Sequence, residues 1–455
     1  MIQSKIIIYF FCRKFFYLIG LLSLCFAMPL FGAGIALMEQ SVKEMGQAFS
    51  GAPTNFDDAS MVFFNPAAMS QSKTRLVSIA GYIVAPSVNF HNESSHFGPA
   101  SRGIPLLGNN GGNSGNLAFI PNIYYVHPLT TRITLGFGFN TLFGMKNSYD
   151  SGWKGRYQAL DSEIRNANFN PSLAFKVTEN FSLGVGFNVQ YMQAILTNAI
   201  DFGAICVRFR NPSECFSEGS LPQLNDGHVS LKGDSVGFGY NFGAFYTISP
   251  NTRVGVSYRS RISHDIHSKA NFSVPDNALV FTRGGQFVDT HAQSSVTLPD
   301  NVLFGFSHRI TPHWTLSADA MWTNWSLIRE LKTDFASAQR DDALTLNWHN
   351  TWRLAVGVNY QPESNKWALR SGFAYDQSPV SGAHLRSPRI PDGDRYWFTL
   401  GLSYALFKNI NIHAAYAHLF VNDLAINRQG TSGDFLNGQY SEQFNIGGLQ
   451  LDWRF

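Results

Sequence analysis

His264 and His267 stand three positions apart, Cys206 and Cys215 bracket a short loop, and two turn-rich stretches hold many large apolar side chains. These are the residues that invite a chemical reading. The histidines make a poor metal pair on a strand, because positions three apart point to opposite faces. No spacing joins a serine, a histidine and an acid into a hydrolytic set, so neither catalysis nor a metal or other cofactor is expected. For the cysteines a disulfide is the natural expectation in an exported chain, with two free thiols as the alternative. The stretch 201–225 carries Phe202, Ile205, Phe209, Phe216 and Leu221, and the stretch 274–292 carries Leu279, Phe281 and Phe287. Loops with that much apolar surface either bind a greasy partner or pack on each other. The chemistry they suggest is capture rather than bond-making.

Composition says what kind of scaffold holds them. Charged residues are 14% of the chain, against roughly 25% in a soluble domain, and aromatics are another 14%, with 39 Phe and 40 Gly. Mean hydropathy is only −0.09, too low for a bundle of membrane helices. Strands with one face to lipid and one to water give this combination. A net charge of +3 without a basic run argues against nucleic acid as a partner. At the N-terminus, Lys5, Arg13 and Lys14 precede and enter an apolar run from Phe15 to Ala27, followed by Pro29, Gly32 and Ala33. Residues 1–33 therefore read as a secretory signal, with cleavage between 27 and 33 and an uncleaved anchor as the alternative. Cys12 and Cys25 leave with it.

From about Arg75 onward, apolar residues recur at every second position. Phe181, Leu183, Val185, Phe187, Val189 and Tyr191 alternate with Ser182, Gly184, Gly186, Asn188 and Gln190. The second face is small and polar rather than charged, which suits a crowded, partly wet lumen. Short breaks near 128–131, 178–180, 249–251, 311–312, 361–365 and 408–409 alternate with long ones near 91–116, 143–165, 201–225, 274–292, 336–344, 378–393 and 422–439. An up-and-down barrel with tight turns at one end and long loops at the other produces this rhythm, here with about fourteen strands. The chain ends on an alternating segment in which Leu449, Leu451, Trp453 and Phe455 share a face. Residues 34–74 do not alternate. This turn-rich segment precedes the barrel at 75–455, and a wide lumen has room for it as a plug.

In that segment Gly46-Gln47-Ala48-Phe49-Ser50-Gly51, then Asp57-Asp58-Ala59, then Asn65-Pro66-Ala67 follow in order. Further on come Trp153-Lys154-Gly155-Arg156-Tyr157, Leu298-Pro299-Asp300, and Asp376-Gln377-Ser378-Pro379-Val380 with Ile390-Pro391-Asp392-Gly393-Asp394-Arg395-Tyr396-Trp397. Together these resemble the FadL family of outer-membrane transporters across nearly the whole mature chain. The resemblance implies an all-β transmembrane barrel with an N-terminal hatch, and passive inward transport of long-chain fatty acids or related hydrophobic compounds. Capture would occur at the outer loops. A pocket in the barrel would follow, then sideways release into the membrane past a kink in the third strand. Aromatic hydrocarbons by the same route, or a general porin for polar solutes, are the alternatives. A lipid hydrolase, and an adhesin or phage receptor, are readings from other classes.

The resemblance also assigns roles. Asn65, Pro66 and Ala67 would be the hatch tip that touches the kinked strand, with a simple turn before the first strand as the alternative. Gly136 and Gly138 are candidates for the kink, since glycine lets a strand bend. Lys332, in Arg329-Glu330-Leu331-Lys332, matches a lysine that would meet a carboxylate head group; the arginine that usually accompanies it has no counterpart, and Gln193 and Asn198 stand in that neighbourhood. The expected partners are the hydrophobic ligand, outer-membrane lipid with lipopolysaccharide, and the barrel assembly machinery, to which outer-membrane barrels present a terminal aromatic; a monomer is expected. Deleting Phe455 should lower the amount of protein in the outer membrane far more than it lowers synthesis, checked by quantifying both fractions. Normal assembly of the shortened chain would count against Trp453 and Phe455 as the assembly signal.

Overall fold

The computed structural model describes residues 34–98 and 103–455. The signal-like segment 1–33 lies outside the described residues. Among them, no helix is long and apolar enough to cross a membrane; one closed antiparallel sheet makes up most of the molecule. Its staves run in chain order. The first five are β1 (Leu76–Asn92), β2 (Ala118–Pro128), β3 (Ile133–Asn140 and Met145–Ser148), β4 (Asp161–Lys176) and β5 (Phe181–Asp201). Then come β6 (Asp226–Ser249), β7 (Thr252–Arg259 and Ile262–Ser273), β8 (Thr290–Leu298 and Asn301–Arg309), β9 (Trp314–Thr323 and Glu330–Phe335) and β10 (Asp342–Thr345 and Thr351–Tyr360). The last four are β11 (Trp367–Asp376), β12 (Arg395–Phe407), β13 (Ile410–Val421 and Leu424–Gln429) and β14 (Asp434–Arg454). Each pairs with its sequence neighbours, and β14 returns to β1 over Leu76↔Arg454 to Asn92↔Gly438. This is the fourteen-stranded up-and-down barrel expected from the rhythm of breaks.

Alternation decides which face is which. Along β5, Leu183, Val185 and Phe187 are exposed, whereas Ser182, Asn188 and Gln190 are buried. The apolar face of each stave is therefore the outside, and the lumen is lined with amides, hydroxyls and glycine. Trp314, Tyr360 and Trp367 cluster as tilted rings at the short-turn end, with ring centres 4.7 and 5.7 Å apart, the position of an interfacial aromatic girdle. Trp453 and Phe455 lie on the exposed face, and the backbone of Phe455 exchanges two hydrogen bonds with Arg75.

Strand enters several of the expected long breaks: Met145–Ser148 belongs to β3, β8 begins at Thr290, β10 at Asp342, and Leu424–Gln429 belongs to β13. β4 begins at Asp161 and β14 at Asp434, inside stretches that look like loop. Crossing hydrocarbon takes only about 9–11 residues, so the 21 residues of β5 and the 24 of β6 project well beyond it. There both faces meet water or protein, and the apolar–polar rhythm that marks a strand in the sequence disappears.

Residues 34–71 sit inside the barrel. The helix α1 (Val42–Met45), a 3-10 turn at Ala52–Thr54, the helix α2 (Met61–Phe64) and a second 3-10 turn at Pro66–Gln71 make up this hatch. Ser41 caps α1 and Asn65 caps the second 3-10 turn. Segments this short have no helical stability of their own; they hold because the wall packs on them. The hatch is buried nearly throughout, with Val42, Met45, Phe49, Phe64 and Ala67 fully so.

Candidate functional site

The continuous ladder of the wall has a lapse. β2 pairs with β3 from Pro128↔Thr134 to Ile123↔Phe139; the next contact between the two chains is the isolated bridge Gly115↔Asn147. Residues 116–122 thus face residues 140–146 without strand pairing, a gap about 20 Å long at roughly 3.3 Å per residue. Residues 141–144 turn inward and take the hatch as their partner. Ala36 bridges Phe143, Leu37 donates to the carbonyl of Leu142 (2.8 Å), and Gly144 donates to the carbonyl of Ile35 (2.9 Å).

Gln40, fully buried, completes the seal. Its amide nitrogen donates to the carbonyl of Thr141 (2.7 Å), while its oxygen accepts from Tyr124 Oη (2.8 Å) and Asn140 Nδ2 (2.9 Å). From the β2 side, Asn122 donates to the carbonyl of Glu39 (2.7 Å). A strand that leaves its ladder inside a membrane must find new partners for its amides and carbonyls, and the hatch supplies them.

Behind the gap lies a small chamber of about 50 Å³, walled by Leu37, Phe63, Leu142, Phe143 and Met321, with Arg259 at one side. Arg259 is buried and donates to Asn188 Oδ1 (2.8 Å) and to the carbonyl of Phe63 (3.0 Å), lying 4.4 Å above the Phe63 ring. All its partners are neutral. A chain of amides connects it to the gap: Asn188 Oδ1 accepts from Asn168, Asn168 donates to Asn140 Oδ1 (3.0 Å), and Asn140 donates to Gln40.

The hatch tip lies elsewhere than expected. Asn65 donates to the carbonyls of Pro53 and Ala244, each at 2.9 Å, and its oxygen caps Ala67. A side chain at Gly184 or Gly243 would collide with this tripeptide, so Asn65-Pro66-Ala67 rests on β5 and β6, not on β3. Gly136 and Gly138 also correct an expectation. Both lie in unbroken register with β2 and β4. Their missing side chains make room for Val62, Met69 and Tyr124 instead of bending the strand. The bend falls at 141–144, where bonds to the hatch outweigh glycine's freedom as its cause.

Lys332 is corrected too. Leu331 and Thr333 point inward on β9, so Lys332 points out, exposed and ion-paired with Asp334 and with Asp341 (3.3 Å). A local motif fixes the strand but not its face, and one position separates the two. A lumenal cation was legible by the same rule: Val254 and Val256 alternate with Arg259 on the opposite face of β7.

At the outer end, Cys206 and Cys215 are bonded, with Cα atoms 5.9 Å apart, joining the helices α3 (Phe202–Phe209) and α4 (Pro212–Ser217). Phe202 meets Phe281 (6.5 Å between ring centres) and Phe287 (5.0 Å), so the two apolar loops come together. Phe202 is their fully buried anchor rather than a groove residue, and Ile205 is half-buried; Phe209, Phe216, Leu221 and Leu279 remain exposed. The packing of the two loops on each other thus holds for Phe202, Phe281 and Phe287. His264 is buried against Gln190 (2.8 Å) and His267 is exposed, on opposite faces as the strand requires.

The structure also joins a serine, a histidine and an aspartate that no spacing connects. Ser403 Oγ lies 2.6 Å from His413 Nδ1, and His413 Nε2 lies 2.8 Å from Asp452. Ser403 Oγ is also bonded by Arg370. Asp452 also accepts from Ser78 and Gln450, and Gln450 accepts from the α1 backbone at Val42. The set is buried beneath the hatch and ties it to the wall.

A barrel, a lumenal hatch and a wall gap bonded to it are features that can be compared with known proteins. The family model described as outer membrane protein transport protein (OMPP1/FadL/TodX) matches residues 23–455. The chain belongs to this family. It is 30% identical to outer membrane protein P1 of Haemophilus influenzae, covering 93% of this chain and 95% of that one. It is 27% identical to the long-chain fatty acid transport protein of Escherichia coli strain K12, covering 87% and 89%. A crystal structure of a Pseudomonas aeruginosa FadL homologue superposes with a TM-score of 0.83 at 25% identity, over 93% of this chain and all of the other. The Ralstonia pickettii toluene transporter TbuX shares the fold, with a TM-score of 0.64 at 19% identity, over 92% of this chain and 100% of that one. As a FadL/TodX-family member the chain is an outer-membrane transport protein, not an enzyme, and the Ser403–His413–Asp452 set is structural.

Gln40→Leu keeps the size of the side chain and removes its bonds to Thr141, Tyr124 and Asn140. The carbonyl of Thr141 then loses its partner on the hatch, at a cost of about 1–3 kcal/mol, while Asn140 Nδ2 keeps its bond to Tyr124 Oη (3.2 Å). Amide exchange at 141–144 should therefore accelerate while the barrel keeps its heat-resistant mobility on a gel. Unchanged protection at 141–144 would show that Gln40 does not hold the seal.

Proposed function

We infer that the protein carries long-chain fatty acids or related hydrophobic compounds passively inward. The ligand is captured at the apolar outer loops, held in the chamber beside the hatch, and released sideways through the gap between β2 and β3. The observation that supports this most is the gap itself, because its seal is made by the hatch and not by the wall. A pore for polar solutes has no use for an opening that faces hydrocarbon. A fatty chain gains about 0.8 kcal/mol per methylene buried, so apolar stations ending in the bilayer make a downhill path that needs no energy source. Arg259 suits a carboxylate, since its present partners are all neutral and a charge-assisted pair is the stronger bond. A carboxylate that takes its N–H groups from Asn188 would loosen the amide chain leading to Gln40. The protein works as a monomer among lipid and lipopolysaccharide, inserted by the barrel assembly machinery through its terminal strand. The second reading is uptake of aromatic hydrocarbons, favoured by the mostly apolar chamber and by the fold shared with a toluene transporter.

Ala36 and Phe143 form a non-hydrogen-bonded pair, the closer of the two antiparallel geometries, so cysteines at both positions can be bridged. In cells lacking their own transporter, the oxidised Ala36→Cys/Phe143→Cys protein should lose labelled oleate uptake while still binding oleate, and reductant should restore uptake. Reduction of the wild type controls for Cys206–Cys215. Full uptake by the locked protein would overturn sideways release. Arg259→Gln should slow oleate and leave toluene unchanged; equal effects on both would favour the hydrocarbon reading.

A further inference from the structure

A second cavity, of about 410 Å³, opens among the outer loops, apart from both the chamber and the apolar patch on α3 and α4. It is lined by Asn198 of β5, by Asp342 and Thr345 at the tip of β10, by Arg389 from the loop between β11 and β12, and by Arg428 of β13. Arg389 is held by one guanidinium nitrogen to the carbonyls of Asp161 (3.3 Å) and Thr197 (3.2 Å) and to Ser162 Oγ (3.1 Å), and by the other to Asn198 Oδ1 (3.1 Å). Arg428, itself buried, donates to the carbonyls of Leu385 (3.2 Å) and Thr345 (3.1 Å).

Two guanidinium groups therefore meet in one cavity, oriented by neutral oxygens. Neither forms an ion pair among the described residues. Carbonyl and amide oxygens fix the direction of an arginine but do not cancel its charge, and a charge withdrawn from water without a counter-charge is costly. Burial lowers the pKa of Arg389 to about 10, which leaves it protonated at neutral pH. Asp342 is the acid on the cavity wall and acts on both arginines at longer range. Asp161 acts in the same way on Arg389 and Asp434 on Arg428, so three carboxylates surround the pair and neither guanidinium touches one. Guanidinium groups bind planar carboxylates in a bidentate fashion. Leu344, Leu385 and Phe435 on the same wall offer apolar contact to whatever the anion is attached to.

We propose that this cavity is a head-group station for a monocarboxylate amphiphile, in which Arg389 and Arg428 hold the carboxylate at the outer mouth before the tail moves inward. The proposal rests on the inward-transport reading, but its test is binding and does not depend on release. The probe is octanoate, titrated calorimetrically into purified protein in detergent, with octanol as the uncharged control. Arg259→Gln serves as the background, so that the inner chamber contributes no charge. In that background octanoate should bind more tightly than octanol. Arg389→Gln/Arg428→Gln should remove the preference, a loss of roughly tenfold or more in octanoate affinity for a broken charge-assisted pair. Arg389→Lys/Arg428→Lys should restore part of it, which a merely structural role for the two side chains would not do. Heat-dependent gel mobility checks that each variant is folded. Octanoate affinity unchanged in the folded double glutamine variant would overturn the proposal. So would inorganic phosphate displacing octanoate at equal concentration, since the site would then serve phosphate-bearing lipid. Tight octanoate binding that the two arginines control, in a protein whose locked Ala36–Phe143 form still takes up oleate, would retain this site and discard sideways release.

Discussion

A backbone amide in hydrocarbon has no water to turn to. That constraint forces the sheet to close on itself, with β14 bonded along its length to β1. It also gives the lapse between β2 and β3 its meaning. In a soluble protein, residues 140–146 could leave the ladder and bond to solvent. Here their partners are carbonyls and amides of residues 35–40. The hatch completes the wall as well as filling the lumen, and any step that opens the gap must first account for those bonds.

Seating such a piece inside a barrel demands close approach of backbones, which explains much of the glycine. Side chains at Gly184, Gly243 and Gly372 would collide with Asn65, Ala67 and Gln47. The lumen then adds polar fasteners. Arg353 donates to the carbonyl of Ala48 (2.8 Å), and its guanidinium lies against the rings of both Phe49 and Trp397. The Ser403–His413–Asp452 series reaches the hatch through Gln450. Against these stands the softer margin at 141–144, where a few bonds and the side chains of Leu142 and Phe143 face the chamber.

The barrel was legible because a two-residue rhythm whose second face is small and polar suits lipid on one side and a lumen on the other, and because short and long breaks alternate with the direction of the chain. The rhythm fails where its cause fails, above the membrane, which is why the starts of β4 and β14 were missed. The disulfide was legible from compartment and loop length. The site was harder. Glycine at 136 and 138 suggested a bend, but the bend is imposed by Gln40 and the 35–37 segment, more than ninety positions away in the chain, and a single sequence does not display such pairings. Lys332 failed because a motif names a strand without naming its face. Arg389 carries no rhythm at all, since it stands on a loop and earns its place only through Asp161, Thr197 and Asn198 across the mouth.

The orientation of the gap has a consequence for the cell's outer barrier. An opening between β2 and β3 leads from the lumen into the core of the bilayer, while residues 41–71 continue to fill the barrel below it. A molecule leaving that way never connects the two aqueous sides. Parting β2 from β3 would by itself open no continuous water path for sugars, peptides or ions. A molecule leaving by that route must be soluble in oil, a requirement that adds to whatever the polar side chains along its path select.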